Sequence, residues 1–430
     1  MYWDPSPRRG RSLRILSAVL LAAAVACVGS PVQAQERVVY TLSNGVEDGS
    51  NAVIAYRPLP NGELQPHPAG PFPTGGTGIN NDTNGKLGPN DNDTPLAVSA
   101  DRRYLFAVNG HSNSIAAFRI QSDGALTPIA GSPFPSRGVA PVSLSVSQGV
   151  LLVANRNEDP HQLSALRGGV RANYASFRIE EDGGLSFIGS VDVEEGQKPT
   201  QVLVSSRNPR LAFGNDFRVD VDFDDDGPVS RLFGNEPAVN GGLRSFQVDH
   251  KGRLEQLDHE TLPETVEPAP EVPSIPLGIW DHPTQPLLYV GLVTRNQLGV
   301  YSYDDEGDLS FVTAVPNSGQ DICWLKTSSD GTRLFAVNNL PREDQNDQAS
   351  TVTVFDIAGE RAREPVEIGR VELPLPYGTF VNNRNAPQPG SAAFQFDMDE
   401  ENGFLYVIAQ RIDQTSANRS DDGNVLHTIR

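Results

Sequence analysis

Leu105-Phe106-Ala107-Val108-Asn109 returns late in the chain as Leu334-Phe335-Ala336-Val337-Asn338. Residues 151–155 (LLVAN) and 211–215 (LAFGN) keep the leading Leu, the small or apolar middle and the closing Asn. Residues 288–292 (LYVGL) and 405–409 (LYVIA) match the apolar pattern without the Asn, and 38–42 (VVYTL) supplies a seventh copy. A second signal travels with the first. Asn61-Gly62-Glu63-Leu64, Asp123-Gly124-Ala125-Leu126, Asp182-Gly183-Gly184-Leu185, Lys251-Gly252-Arg253-Leu254 and Glu306-Gly307-Asp308-Leu309 all place Gly two residues before Leu. Gly supplies the positive φ of a tight hairpin. The segments before such turns alternate in polarity, as in 114–120 (SIAAFRI) and 351–357 (TVTVFDI), which is the period of a strand with two unlike faces.

A four-stranded unit repeated about seven times predicts an all-β chain: a seven-bladed β-propeller of four-stranded antiparallel blades. A β-helix needs much shorter rungs, and a two-sheet sandwich does not repeat one hairpin five times. The ends do not balance. Residues 37–68 offer a second, third and fourth strand without a first, whereas 391–430 offers a first, second and third. The ring-closing strands therefore read as missing at the C-terminus, and closure is expected to be unusual if the chain stops at Arg430.

Residues 1–34 read as an export signal, leaving 35–430 as a single β-propeller domain. Arg8, Arg9, Arg11 and Arg14 form a basic segment, 15–28 (ILSAVLLAAAVACV) an apolar run, and Val32-Gln33-Ala34 the small residues of a cleavage site. The run is too short for a hydrocarbon core that takes about 20 apolar residues to cross. No later stretch approaches that length, so no transmembrane segment is expected. The protein is expected in the periplasm or outside the cell. Ala24-Val25-Ala26-Cys27 resembles a lipoprotein box, which makes lipid anchorage through Cys27 the alternative.

The chain of 430 residues carries 54 acidic and 34 basic side chains, a formal charge of -20. Loss of the four N-terminal Arg and Asp4 removes a net +3 and brings the mature charge to -23. Such a surface repels a phosphate backbone, so nucleic acid is not an expected partner. Once residues 1–34 are removed, Cys323 is the remaining one of the 2 cysteines, and no intramolecular disulfide is expected to staple the fold. Beside Ile322 and Trp324 it reads as a small buried hydrophobe.

The run 98–109 (VSADRRYLFAVN), the strand and turn that follow it to Leu126, and Cys323-Trp324 leading into 327–331 (TSSDG) resemble the lactonase-type seven-bladed propellers. This is the family of 6-phosphogluconolactonase and 3-carboxymuconate cyclase, and the resemblance is to its secreted branch. It covers almost all of 37–430. It implies opening or closing of a lactone at the mouth of the central channel, usually without a required cofactor. A sugar-phosphate lactone fits poorly with an exported protein.

In a propeller the loops between second and third strands open at one end of the ring. Here the long ones are 155–173, 215–241, 338–350 and 410–422. His111, Arg156, Glu158, Asp159, His161, Asp216, Arg218, Arg295, Arg342, Glu343 and Arg411 crowd into them and their shorter counterparts. Lactone hydrolysis needs a group that activates water and donors that hold an oxyanion. On that logic His161 or Glu158 is the base, and Arg156, Arg295 and Arg411 clamp a carboxylate. The competing reading is that these are solvated loop residues. The strand-ending Asn109, Asn155, Asn215 and Asn338 read as caps that bond backbone.

No nucleophile elbow, zinc-protease helix or phosphate loop is present. Asp222-Phe223-Asp224-Asp225-Asp226-Gly227 fits the start of a calcium loop, with Asp222, Asp224 and Asp226 as ligands, although position twelve is Phe233. Asn80, Asp82, Asn84 and Asp91 repeat the pattern more weakly. Calcium is thus the expected ion if any is bound. Two functions remain open. One is an exported hydrolase or isomerase of a small lactone or carboxylated ring compound. The other is a non-catalytic propeller that binds a protein or glycan through its long loops. A self-contained ring is expected to be a monomer.

Overall fold

The computed structural model describes residues 36–79, 94–157, 170–218, 220–224, 227–231, 241–263, 274–340, 349–374, 379–381, 387–389, 391–399, 401, 403–411 and 424–430. The export-signal segment and the weaker calcium pattern at 80–91 lie outside them. Gln35 to Arg430 forms one compact unit.

Seven antiparallel sheets follow one another along the chain. Blade 2 is Leu96–Val98, Tyr104–Asn109, Ser114–Ile120 and Leu126–Pro128. Blade 3 is Pro141–Ser147, Val150–Asn155, Asn173–Ile179 and Leu185–Asp192. Blade 4 is Gln197–Val204, Leu211–Arg218, Gly242–Val248 and Leu254–Thr261. Blade 5 runs Pro276–Asp281, Leu287–Leu292, Gln297–Tyr303 and Leu309–Pro316. Blade 6 runs Gln320–Thr327, Arg333–Leu340, Thr351–Asp356 and Val366–Glu372. As the sequence predicts, the end blades are incomplete among the described residues. Blade 1 has Val39–Leu42, Ala52–Pro58 and Leu64–Pro66, with Phe72–Pro73 also paired to its middle strand. Blade 7 has Ser391–Asp399, Phe404–Arg411 and Val425–Ile429.

The repeated Leu-Phe-Ala-Val-Asn strand is the second of its blade, and its unbroken apolar run reflects burial on both faces. Leu105 and Ala107 pack with Val53, Ala55 and Phe72 of blade 1. Tyr104, Phe106 and Val108 pack with Leu144, Leu151 and Val153 of blade 3. Leu152 and Ala154 then turn to Val202, Ala212 and Phe246 of blade 4. Period-two alternation thus hands successive side chains to opposite neighbours. The first strands line the ring axis and bond sideways. Val202 N–H donates to Ser143 Oγ (3.1 Å), and Ile279 N–H donates to Gln201 Oε1 (2.6 Å).

The five predicted hairpin glycines, Gly62, Gly124, Gly183, Gly252 and Gly307, all hold φ between 82° and 95°. Each also abuts the blade before it. A Cβ at Gly183 would lie 2.5 Å from the Tyr104 ring of blade 2, and one at Gly252 would lie 2.7 Å from Ile188 of blade 3. Tyr104 Oη donates to Glu181 O of the same turn (2.5 Å), Tyr40 Oη to Gly124 O (2.7 Å) and Tyr289 Oη to Ala362 O (2.9 Å). The seam between blades 7 and 1 follows the same rule. Gly62 abuts Phe404, Thr428 Oγ1 donates to Gly62 O (3.0 Å), and Arg37 pairs with Asp399 (3.2 Å) and Glu401. Packing and ion pairs hold this seam.

Two glycines with similar backbone separate conformational strain from seam packing. Gly149 (φ 77°) has nothing near its missing Cβ, so Gly149→Ala should cost only the roughly 1–2 kcal/mol of left-handed strain. Gly183→Ala should cost about 1–3 kcal/mol more, because its Cβ also meets Tyr104. Denaturant unfolding of the two variants checks the difference.

Candidate functional site

Asn155 faces Pro141 of the first strand and Asn173 of the third, and Asn173 faces Asp192 of the fourth. The second-to-third loops and the links between blades therefore open at one end of the ring, the loop face. The strand-ending asparagines form its foundation. Asn109 Nδ2 donates to Ser114 Oγ (3.1 Å), and its Oδ1 accepts from Asn51 Nδ2 (2.9 Å) and Thr74 Oγ1 (2.6 Å). Asn155 Nδ2 donates to Ser136 O (3.1 Å) and Asn173 Oδ1 (2.9 Å). Asn215 Nδ2 donates to Pro276 O (2.9 Å) and Leu277 O. Asn338 Nδ2 donates to Thr351 Oγ1 (3.0 Å) and Thr353 Oγ1 (2.7 Å). All four are fully buried; Asn155, Asn215 and Asn338 reach backbone carbonyls as the sequence predicts, whereas the bonds of Asn109 go to side chains.

Arg156 and Asn157 leave the end of the blade 3 strand, donating their N–H groups to Ala140 O (2.9 Å) and Val139 O (2.8 Å). Arg156 is buried and sets its guanidinium 5.0 Å from the centre of the Phe217 ring of blade 4. Lys198, opposite Phe217 in the ladder, is also buried and donates Nζ to Asn157 O (2.9 Å). Phe217 belongs to an apolar cluster with Ile275, Leu277, Cys323, Trp324 and Phe394, drawn from blades 4 to 7. Val293 packs on the same cluster and opens the 3-10 turn Val293–Arg295. The turn carries half-buried Arg295, whose Nε donates to Ser274 Oγ (3.2 Å). Arg156 thus contacts this cluster through Phe217, and Arg295 follows Val293, which packs against it. Cys323 is buried in it as expected, and the buried Trp324 Nε1 finds no acceptor among the described residues.

Asp216 is not a solvated loop residue. It is fully buried, accepts from Arg244 Nε (2.5 Å), and leaves Oδ1 unbonded 4.0 Å from His259 Nε2. Arg244, itself fully buried, spends its remaining donors on Gln256 Oε1 (2.8 Å) and on Glu194. Burial pushes the Asp216 carboxyl above the ordinary carboxylate range, opposed by Arg244. This cluster staples blade 4 to the end of blade 3.

Asp321 is a further residue that the sequence reading passed over. It is the second residue of the first strand of blade 6, with φ 59°, and burial raises its carboxyl above the usual range. Its N–H donates to Asn296 Oδ1 (2.8 Å), and its Oδ1 accepts from Gln320 Nε2 (3.0 Å).

The proposed bases Glu158 and His161 lie outside the described residues, as do Asp159, Arg342, Glu343 and Asp226. Arg411 pairs with Ser391 in the blade 7 ladder, but only its backbone is described. Asp222 and Asp224 stand on the hairpin strand Asp220–Asp224, facing Val229 and Gly227, again with backbone alone described. His111 N–H donates to Thr77 O (3.1 Å). Among the described residues no group of three or more His, Cys, Asp or Glu could hold a metal ion. No helix among them is long and apolar enough to cross a membrane.

The fold is a seven-bladed β-propeller, and part of the chain matches the family whose resemblance was read from the sequence. Residues 82–169 match the family described as Lactonase, 7-bladed beta-propeller. No curated protein matches the chain. A candidate 6-phosphogluconolactonase from Bacteroides fragilis is 14% identical, with 93% of this chain and 99% of that one covered at a TM-score of 0.54. One from Bacteroides uniformis is also 14% identical, with 91% and 98% covered at 0.52. Sqt1 of Chaetomium thermophilum, solved bound to the N-terminus of ribosomal protein L10, is 11% identical, with 90% and 80% covered at 0.51. These likenesses are of fold.

Arg244→Met isolates the buried carboxylate. It should destabilise the protein by about 3–5 kcal/mol at pH 7, because Asp216 loses its cation. Asp216 then favours its neutral form more strongly. A carboxyl whose folded pKa is raised contributes stability at low pH and loses it as pH rises through that value. The deficit relative to wild type should therefore shrink on acidification, as followed by urea unfolding between pH 7 and pH 5.

Proposed function

We propose that this chain is an exported lactonase-like hydrolase or isomerase that acts on a lactone or carboxylated ring compound at the loop-face mouth of the channel. The observation that carries the reading is that Arg156, over the Phe217 ring, and the turn of Arg295, through Val293, both meet one apolar cluster. An apolar cluster accepts a ring, and a guanidinium presents paired donors to a carboxylate or a developing oxyanion. Burial strengthens both, since water competes less in a low-dielectric site. The unbonded Trp324 Nε1 supports the same reading, because a buried donor without an acceptor costs roughly 1–3 kcal/mol until something accepts from it. Calcium at Asp222, Asp224 and Asp226 would order the 219–240 loop, outside the chemistry.

A panel of neutral and carboxylated lactones, followed by acid release, tests the proposal. Wild type should open at least one carboxylated lactone. Arg295→Ala should raise KM for it by roughly 10–100-fold and change KM for neutral lactones little. Acid release no faster than buffer across the panel would overturn the reading and leave the loop-mediated binding propeller.

A further inference from the structure

Lactone opening needs a group that takes a proton from water and returns it to the ring oxygen, and the arginines, which stay charged, cannot do so. We propose, on the lactonase-like reading, that Asp321 is the acid–base residue of this site. Three observations converge on it. First, its position is at the loop-face end of the ring's innermost layer, one strand position before Ile322, which pairs with Asn338. Cys323 and Trp324, just beyond, belong to the apolar patch that Phe217 shares.

Second, Asp321 is tied to the turn that carries Arg295. Asn296 ends that turn in the left-handed conformation (φ 50°). Its Oδ1 accepts the Asp321 N–H at 2.8 Å, and its Nδ2 donates to Gln320 Oε1 at 2.9 Å. Gln320 Nε2 in turn donates to Asp321 Oδ1 at 3.0 Å. One carboxylate oxygen is therefore oriented, and Oδ2 accepts no hydrogen bond among the described residues. A single amide, Asn296, ties the Asp321 backbone to the turn that carries Arg295.

Third, the backbone conformation does not require a carboxylate. Thr94 (φ 53°) and Ala140 (φ 54°) precede the first strands of blades 2 and 3 with the same left-handed backbone. Blade 6 alone among these three adds an ionisable group. Burial then disfavours its charged form, moving it toward the range where a carboxyl can both accept and return a proton. The charged groups on neighbouring elements are engaged elsewhere. Arg295 bonds Ser274; Glu367 and Arg370 bond Ser318; Lys326 pairs with Asp397 at the other end of the strand.

The step balances without a co-reactant. Ionised Asp321 takes a proton from water, and the resulting hydroxide bonds to the lactone carbonyl carbon. The tetrahedral oxyanion collapses, the bond from that carbon to the ring oxygen breaks, and the ring oxygen takes the proton from Asp321. One water is consumed and one hydroxy acid is formed.

The test is the pH dependence of turnover on whichever lactone wild type opens. Asp321→Asn keeps the shape and tolerates positive φ, and an unchanged thermal midpoint checks that it folds. It should lower kcat by roughly 100-fold or more with KM little changed, and abolish the acid limb of the kcat/KM profile. Asp321→Glu should restore the limb. Unchanged kcat and limb in Asp321→Asn overturn the assignment, as does loss of the limb in Glu158→Gln or His161→Gln with Asp321→Asn active. Those results leave the lactonase reading standing. A wild type that opens no lactone overturns both.

Discussion

One contact recurs around the ring, and the rest of the structure depends on it. The turn between the third and fourth strands of a blade rests on the second strand of the blade before it. Gly183 lies against Tyr104, Gly252 against Val150 and Gly307 against Leu211, with the fourth-strand side chains Ile188 and Leu257 closing on the last two. The approach is close enough to exclude a Cβ, and a tyrosine hydroxyl often closes it by donating to a turn carbonyl. Blade 6 reaches the same end differently. It has no Gly-x-Leu hairpin, and its 3-10 turn Gly359–Ala362 offers the carbonyl of buried Ala362 to Tyr289. Tyr406 of blade 7 stands where such a tyrosine belongs, but its hydroxyl finds no partner among the described residues, and Thr428 bonds the Gly62 carbonyl instead. The seam between blades 7 and 1 is thus held by a variant of the rule used elsewhere.

That rule explains why the fold is legible in the chain. A strand buried between two neighbours must be apolar on both faces, and a turn pressed onto a neighbour must be glycine. Both requirements act through residues adjacent in sequence, so they leave a repeating signature. The unequal ends are legible for the same reason, since each strand carries its own mark. The site is legible only in part. Arg156 and Arg295 stand out because they follow second strands, but the partners that define them come from other blades. Lys198 lies just before Pro199 and resembles any strand-edge lysine until Asn157 O is brought to it. Asp216 looks like a loop acid because the Arg244 that buries it is 28 residues away. Asp321 is hidden by its short polar run, 317–321 (NSGQD), which reads as a turn.

The electrostatics of the two ends of this pattern differ. The chain is strongly acidic overall, with a formal charge of -20, yet the side chains buried at the junction of blades 3 and 4 include three cations, Arg156, Lys198 and Arg244. Arg244 is neutralised by Asp216 and Glu194 and belongs to the scaffold. Arg156 sets its guanidinium over the Phe217 ring, and Lys198 donates to the Asn157 carbonyl.

These groups also share a mechanical property. Arg156 follows a capped strand end, Lys198 lies within a first strand, and Asp321 is the second residue of another, with Asn296 spanning from the turn of Arg295. A site on strand ends is held by the sheet ladders and the asparagine caps, so its geometry is set when the ring forms.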